Sequence, residues 1–331
     1  MGVTIRDVAK RAGVSAATVS RYFHGKSIVT DQTSKKIEEA VRALDYKPVL
    51  RHKNPGIIAV LLSSLRLTYF SDVMKVLLEE VPRYGYNIIF IPLTAEDESY
   101  KQFFRDLDIT GVIYLEEDMD QSIVDYIEAK NIQTVMFGGI SSDHRPKRIR
   151  INDLAAAYEG AKYLLQLHHE DIFILSDYQK SISTGFQRIA GCKRAYEEFG
   201  LSLKESLIKY SDLTYENGYR LTRLALREGL EFTAVFAFSD EVAMGAITAL
   251  KEGGLTVPDH ISVLGFDGIG LSRMVTPKLT TIKQPIRLMV EHTLDTFGKR
   301  ENERGIEITL PYKLEEGGTC RENDDRKGEV L

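Results

Sequence analysis

Apolar residues recur at helical spacing in the first 47 residues of the chain. Two stripes with the spacing i, i+3, i+4, i+7 are formed by Ile5, Val8, Ala9 and Ala12 and by Ile37, Ala40, Val41 and Leu44. Thr4 precedes the first stripe and Asp7 follows three residues later, which is the spacing of a capping box. Gly13 comes directly after the stripe, where glycine adopts the positive φ of a tight turn at little cost. The pattern predicts a short first helix that ends at a turn.

Two further helices are predicted after this turn. Ser15 is a suitable N-cap for the second helix, which carries Val19 on its inner side, and Thr30 or Asp31 begins the third. Short helix, glycine turn and short helix is the arrangement of a helix-turn-helix. The same stripes would also suit a purely structural three-helix bundle, so the apolar pattern leaves both alternatives open.

The charge distribution favours DNA binding over a structural bundle. Lys and Arg outnumber Asp and Glu by 11 to 5 in residues 1–53, although the whole chain has 43 basic and 48 acidic residues and a formal net charge of −5. A basic head on an acidic body is the electrostatic pattern of a module that binds phosphate groups. We therefore predict a DNA-binding domain at the N-terminus.

From Pro55 onward, short apolar strands alternate with amphipathic helical stretches. The strand candidates are Ile57–Leu62, Asn87–Leu93, Gly111–Leu115, Gln133–Phe137, Arg148–Ile151, Ile172–Leu175, Ala234–Phe238, Ile261–Phe266 and Leu279–Lys283. Helical stretches lie between most of these strands, and such alternation predicts βαβ units with parallel sheets. The body is therefore predicted to be α/β.

Three charged side chains follow predicted strands or open a helix beyond one. Asp240 and Asp267 each come directly after a strand, and Arg188 opens a helix. Ligands of parallel sheets bind beyond the carboxyl ends of the strands. One Arg with two Asp suits the hydroxyl groups of a sugar, because charged groups make the stronger hydrogen bonds. The alternatives are a turn aspartate for Asp267, a surface position for Arg188 and, for Asp240, a helix cap, a role that Ser239 could also take.

Long strings of the chain resemble one protein family. VTIRDVAKRAGVSAATVSR near the N-terminus, and SDEVAMGAITALKEGGLTVPDHISVLGFDGI and LTTIKQPIRLM in the body, are similar to the lactose-repressor (LacI/GalR) family of bacterial transcription regulators. The resemblance covers roughly residues 4–320. It implies an N-terminal three-helix helix-turn-helix headpiece and a periplasmic-binding-protein-like core of two Rossmann-like lobes.

The resemblance also implies a division into domains. These are a DNA-binding headpiece at 1–47, a shortened hinge linker at 48–56, a core at 57–320 and a polar tail at 321–331. Within the core, the N-lobe takes about 57–150 and 284–312, and the C-lobe about 151–283 and 313–320. Relatives have a longer hinge with a short helix whose leucines enter the minor groove. Here Pro55 and Gly56 would stop such a helix after a turn, so we predict less minor-groove bending of the DNA.

By the same resemblance, the helix from Ser15 to His24 is the recognition helix. Ala16 and Ala17 take its base-reading positions and offer methyl contacts, while Arg21 suits a guanine edge. The implied DNA contacts are Thr4, Ser15, Ala16, Ala17, Thr18, Ser20, Arg21, His24, Lys26, Leu50 and Arg51. Leu50 is either a residual minor-groove wedge or a linker residue.

An effector site in the cleft between the lobes is implied as well. The predicted effector-binding residues are Tyr69, Phe70, Arg188, Phe238, Ser239, Asp240, Asp267 and Gln284. Leu67 and Thr68 stand where the family often has Asn-Pro, and Leu213 stands where it often has an aromatic residue that stacks on the effector. Asn152 and Asp153 match an Asp-Asn pair of the family in swapped order.

The function expected from these features is that of a homodimeric, cytoplasmic repressor, which binds a near-palindromic double-stranded DNA operator under the control of a sugar. A purine or another metabolite acting as corepressor is the alternative, since a pocket with Arg and Asp serves both. A Rossmann-type enzyme is a distant alternative, because the cluster Gly265–Gly270 lacks GxGxxG spacing. We expect no catalytic residue, cofactor or metal site, since Cys192, Cys320 and the pair His168–His169 lack metal-ligand spacing. We also expect no membrane partner.

Overall fold

The computed structural model describes residues 4–24, 29–44, 46, 56–62, 68–93, 100–115, 121–140, 145–297 and 305–323. The α-helices are α1 (Ile5–Ala12), α2 (Ala16–His24), α3 (Asp31–Leu44), α4 (Thr68–Glu80), α5 (Tyr100–Asp106), α6 (Gln121–Ala129), α7 (Asp153–Gln166), α8 (Arg188–Glu198), α9 (Tyr215–Arg227), α10 (Asp240–Glu252) and α11 (Ile286–Phe297). Short 3-10 helices span Val81–Tyr84, Glu205–Leu207 and Gly270–Arg273, and a π-helix spans Ile182–Gln187. None of the described helices is long and apolar enough to cross a membrane.

The strands form two sheets of similar construction. They are β1 (Ile57–Leu62), β2 (Asn87–Pro92), β3 (Ile109–Tyr114), β4 (Gln133–Phe137), β5 (Lys147–Arg150), β6 (Ile172–Ser176), β7 (Ile208–Tyr210), β8 (Ala234–Ala237), β9 (Ser262–Asp267), β10 (Thr280–Lys283), β11 (Glu307–Thr309) and β12 (Lys313–Glu315). The strand order is β11-β5-β4-β3-β1-β2 in one sheet and β12-β10-β9-β8-β6-β7 in the other. All pairs are parallel except β10 with β12. The predicted α/β class is confirmed.

All nine predicted strands are present, with ends that differ by at most two residues. The three strands missed by the sequence pattern are β7, β11 and β12. Each has only three residues, lies at a sheet edge and contains charged or half-exposed side chains. Such a segment has no apolar run for the pattern to register, because its pairing depends on a neighbouring strand already in place.

The head is a three-helix unit with a small apolar core. The fully or largely buried side chains are Val8, Ala9, Ala12, Val19, Ile37 and Ala40. The backbone N–H of Thr4 donates to Oδ2 of Asp7 at 2.8 Å, and the hydroxyl of Thr4 donates to the same oxygen. Gly13 ends α1 with φ of 66°, and Oγ of Ser15 accepts the backbone N–H of Thr18 at 3.0 Å. The three predicted helices and their first two caps are confirmed.

The chain passes between the two sheets three times. It leaves the first sheet after Arg150, returns to it after Lys283 and crosses again between Thr309 and Lys313. We call the unit around the first sheet the N-lobe and the unit around the second sheet the C-lobe. Each lobe has its own buried apolar core against its sheet faces. Because the strands are parallel, the crossings place several strand ends at the facing edges of the two lobes.

Helices α9 and α10 of the C-lobe approach closely enough to require glycine at two positions. A Cβ on Gly218 would lie 2.2 Å from the carbonyl oxygen of Val242, and one on Gly245 would lie 2.1 Å from that of Tyr215. Replacing Gly245 with alanine must therefore push the helices apart. We expect it to lower the free energy of unfolding by about 1–3 kcal/mol in urea titrations. Arg220→Ala, at an exposed position on α9, is the control. A free energy of unfolding that falls no further in Gly245→Ala than in Arg220→Ala would contradict the close packing of α9 and α10.

Candidate functional site

A cleft lies between the two lobes, at the carboxyl ends of strands from both sheets. Its walls contain Tyr69, Phe70, Leu115, Phe137, Gly138, Gly139, Asp153, Ser183, Thr184, Arg188, Leu213, Phe238, Ser239, Asp267 and Gln284. The volume open to water-sized molecules is about 100 Å³. That is several times the roughly 10–15 Å³ needed to hold one water molecule, so the cleft admits a small ligand. Seven of the eight predicted effector-binding residues meet in this cleft.

The floor of the cleft carries a buried ion pair between Arg188 and Asp153. Arg188 begins α8, and its Nε and Nη2 atoms each lie 2.9 Å from Oδ1 of Asp153. Its Nη1 donates to the carbonyl oxygen of Phe238 at 2.6 Å, and its guanidinium lies 3.5 Å from the ring centroid of Phe266. Both charged side chains are 3% exposed. Because Asp153, Phe238 and Phe266 hold the guanidinium in place, Arg188 is a rigid hydrogen-bond donor near the end of strand β8.

A second arginine, Arg150, links this ion pair to the N-lobe. Nη2 of Arg150, at the end of β5, lies 3.4 Å from Oδ2 of Asp153 and donates to Oε1 of Gln187 at 2.7 Å. Nη1 of the same side chain lies 3.1 Å from Oε1 of Glu307 on β11. Arg150 therefore joins the outer strand of the N-lobe to the floor of the cleft.

Asp267 is the second carboxyl group of the cleft. It ends β9 with φ of 105°, a left-handed conformation that non-glycine residues seldom adopt. Nε2 of Gln284 donates to its Oδ1 at 2.8 Å, and the hydroxyl of Tyr69 lies 3.3 Å from Oε1 of Gln284. Burial raises the pKa of Asp267 to about 7, against the opposing effect of Arg188. The carboxyl therefore changes charge near neutral pH, where it accepts hydrogen bonds from a ligand only after losing its proton.

Asp240 does not reach the cleft, contrary to the prediction. It is the first residue of α10 and is fully buried, with Oδ2 accepting the backbone N–H of Ile269 at 2.8 Å and Oδ1 accepting the hydroxyl of Thr281. Burial raises its pKa, and the nearby Asp267 adds to that effect. Of the two residues predicted as possible caps of α10, Ser239 holds the cap position, and its Oγ accepts the N–H of Glu241. Asp240 instead supports the loop that follows Asp267.

The remaining walls combine aromatic faces with hydroxyl groups. The rings of Tyr69 and Phe70 meet edge to face with their centroids 5.7 Å apart, at the start of α4. Leu213 is 7% exposed and forms the wall where an aromatic residue was expected from the family pattern. Ser183 and Thr184 reach the cleft from the π-helix, a widened turn that often occurs at functional sites.

Sequence reasoning missed several cleft residues. They are Leu115, Phe137, Gly138, Gly139, Ser183 and Thr184, together with Asp153, which was noted only within the swapped Asn152–Asp153 pair. The structure separates the roles of that pair, since Oδ1 of Asn152 caps α7 by accepting the N–H of Ala155 while Asp153 pairs with Arg188. Asp153 could have been predicted as a cleft residue, because it is a polar residue at the start of a helix that follows a strand. For the hydroxyl residues of the π-helix no comparable signal exists in the sequence.

Two family models match the chain. Residues 4–49 match the bacterial regulatory proteins of the lacI family, and residues 55–316 match the periplasmic binding proteins and sugar binding domain of the LacI family. The protein belongs to the LacI family. As a LacI-family protein it is a DNA-binding transcriptional regulator with an effector-binding core.

Individual members of the LacI family resemble the chain over almost its whole length. Catabolite control protein A of Priestia megaterium is 28% identical over 95% of this chain and 98% of its own. The HTH-type transcriptional repressor PurR of Erwinia tasmaniensis is 31% identical over 92% of this chain and 94% of its own. A solved structure of the lac repressor dimer bound to operator and the anti-inducer ONPF has a TM-score of 0.71, with 27% identity over 97% of this chain and 100% of that chain.

Part of the predicted DNA-binding surface of the head lies within the described residues. Thr4, Ser15 and Ala17 are exposed, whereas Ala16 and Thr18 are half-buried and Ala16 packs against the head core. Ala17 is thus the more exposed of the two predicted base-reading residues. The side chains of Ser20, Arg21 and His24 lie outside the described part of the structure, as do residues Lys26, Leu50 and Arg51.

The histidine pair noted in the sequence has a structural role in the C-lobe of this LacI-family protein. The two ring nitrogens of His169 lie 2.9 Å from Oγ1 of Thr233 and 2.9 Å from the carbonyl oxygen of Arg321. Burial lowers the pKa of His169, so the neutral ring is favoured. Within the described ranges, no group of three His, Cys, Asp or Glu side chains is arranged to hold a metal ion.

Proposed function

We propose that the cleft binds a small polyhydroxyl effector, most simply a sugar of monosaccharide size, and that its binding changes the affinity of the head for an operator. The observation that carries this proposal is the buried set of Arg188, Asp153 and Asp267 on one cleft wall. A guanidinium donates, an ionised carboxylate accepts, and sugar hydroxyls do both. The aromatic side chains of Tyr69 and Phe70 supply apolar faces beside these groups.

A purine base is the alternative effector. Its ring nitrogens and exocyclic groups also pair with a guanidinium and a carboxylate, and its faces pack against aromatic rings. Leu213 offers no aromatic face to either ligand, so stacking on a sugar or a purine depends on Tyr69 and Phe70. The two classes differ in the hydrogen-bonding groups that they bring to Asp267, and a ligand panel separates them directly.

The proposed regulator acts as a homodimer in the cytoplasm, with one head on each half of a near-palindromic operator, and has no catalytic activity. The lac repressor structure that resembles this chain is a dimer on its operator, which supports the proposal. An effector that favours one orientation of the lobes alters operator affinity only by its different affinity for the two states.

The first test is a gel-shift titration on the DNA upstream of the protein's own gene, with excess nonspecific competitor. We expect a discrete complex whose affinity falls by about 10³–10⁵ between 50 and 200 mM salt, since basic heads release counterions from phosphates. Sugars and purines are then added singly, and each is also tested for thermal stabilisation of the protein. Absence of any discrete complex, with and without every ligand, would contradict the proposed function.

A second measurement concerns the linker at 48–56, which lies mostly outside the described residues. We expect little bending of the bound operator, because Pro55 would end a hinge helix early. Circularly permuted DNA fragments report the bend angle through their mobility. A strong kink, comparable to the tens of degrees made by wedging side chains, would contradict the expectation.

A further inference from the structure

Besides the contacts of Arg150 with Asp153 and Gln187, two contacts between described residues of opposite lobes join a carboxylate to a backbone N–H. Glu241 of the C-lobe accepts the backbone N–H of Thr68 in the N-lobe at 3.0 Å, and its Oε2 also accepts the hydroxyl of Thr68. In the opposite direction, Oδ2 of Asp72 in the N-lobe accepts the backbone N–H of Gly270 in the C-lobe at 2.7 Å. We call these two contacts the cross-lobe caps.

Both donors lie at the start of a helix. Thr68 is the first residue of α4, and Gly270 is the first residue of the 3-10 helix Gly270–Arg273. The first N–H groups of a helix have no partner within the helix, and they carry the positive end of its dipole. A carboxylate is therefore a favourable partner for each of them. In this protein Glu241 and Asp72 meet that need from the opposite lobe.

The cross-lobe caps are directly connected to the effector site. Tyr69 and Phe70, which follow Thr68, line the cleft, and Gly270 lies three residues after Asp267. Asp240 adds to this connection by holding the N–H of Ile269, next to Gly270. Separation of the lobes would break both caps at once and would leave two helix starts and two carboxylates to be solvated.

We propose that the cross-lobe caps stabilise the closed cleft of this protein before any effector binds. Their existence follows from the contacts alone, whereas their effect on effector affinity rests on the proposed function. A ligand that binds the closed form gains apparent affinity in proportion to the fraction of protein already closed. Loss of a single cap shifts the ratio of closed to open protein by about five-fold, which is the usual effect of one helix cap.

The cap at Thr68 depends on a departure of this chain from the family pattern. The family often has proline at this position, as noted above, and proline has neither a backbone N–H nor a hydroxyl group. Thr68→Pro therefore removes both donors to Glu241 while leaving the carboxylates of the cleft unchanged. Proline is also well accepted at the first position of a helix, so the variant keeps a foldable α4.

The test is amide hydrogen exchange on the full-length protein without effector. Thr68→Pro and Asp72→Ala each remove one cap, and Glu252→Gln is the matched control. Glu252 also lies on α10, but its carboxylate bonds to Tyr219 and Arg223, which belong to the same lobe. We expect each variant to raise exchange about five-fold at the cap that it leaves intact, with no change in peptides from β8. That readout is the peptide covering Gly270–Arg273 for Thr68→Pro and the peptide covering Thr68 for Asp72→Ala.

Two results would overturn the proposal. One is exchange at the intact cap that equals the wild-type rate in both cap variants. The other is an equal rise in all core peptides, which would mean general destabilisation rather than lobe opening. Because no effector is present, failure here is distinct from failure of the proposed effector class. If Thr68→Pro does not fold, Asp72→Ala alone decides through exchange at Thr68, because the acceptor of that N–H, Glu241, is unchanged in this variant.

Discussion

Replacing Arg188 with methionine is expected to lower the free energy of unfolding by about 3 kcal/mol and to abolish effector binding. The substitution removes the cation that lies 2.9 Å from Asp153 and leaves a carboxylate that is only 3% exposed. Breaking a buried pair by removing one partner is strongly destabilising, because the remaining charge stays buried. Arg150 at 3.4 Å compensates for part of the loss. Urea unfolding of the purified protein at pH 8 measures the effect.

The double variant Arg188→Met with Asp153→Asn separates the buried charge from lost packing. It should regain part of the lost stability, since no uncompensated carboxylate remains. Arg194→Met is the matched control, because Arg194 lies on the same helix α8 and is exposed. If Arg188→Met lowers the free energy of unfolding no more than Arg194→Met does, the buried ion pair does not stabilise the fold.

The stability of the protein is expected to fall as pH rises from about 4 to about 7, through the titration of Asp267. Burial raises the pKa of this carboxyl from 3.8 to about 7 in the folded state. Between these values the folded protein retains a proton that the unfolded chain has released, so the free energy of unfolding decreases with pH. The decrease from this group amounts to at most about 4 kcal/mol, at 1.36 kcal/mol for each pKa unit.

The difference between the wild type and Asp267→Asn isolates this contribution from all other titrating groups. Asparagine keeps an oxygen for Gln284 but carries no charge, so its unfolding curve should depend less on pH over this range. Effector binding by the wild type should tighten between pH 6 and 8, because hydroxyl donors favour the ionised carboxylate. Parallel stability profiles for the two proteins would rule out a raised pKa at Asp267.

The apolar patterns predicted nine strands and the three helices of the head, because each of these elements buries an apolar face. The strands β1 and β4 match their predicted bounds in full, and each ends in a run of buried apolar side chains. The short edge strands could not be predicted, because their pairing depends on neighbours distant in sequence. The sequence pattern therefore identifies which residues are buried, whereas the residues that they pack against depend on the tertiary fold.

The candidate site was predicted in part, for a similar reason. Arg188 and Asp267 were predicted from their places beyond strands, and both line the cleft. Asp240 also follows a predicted strand, yet its side chain is fully buried and bonds to the N–H of Ile269 instead of lining the cleft. The packing of α10 decides this difference, and the local sequence does not show it. Asp153 is separated from Arg188 by 35 residues, so their ion pair is visible only when α7 and α8 pack together. Local sequence identifies candidate groups, whereas tertiary packing selects their partners.

The three crossings between the lobes also constrain the order in which this protein folds during synthesis. Strand β12 pairs with β10, and Thr319 bonds to the backbone of Val263, so the C-lobe is completed by residues that emerge from the ribosome after strand β11 of the N-lobe. Neither lobe is a continuous segment, and neither is finished before most of the chain has been made. A nascent chain that ends before residue 313 would expose an unpaired edge at β10, where aggregation begins.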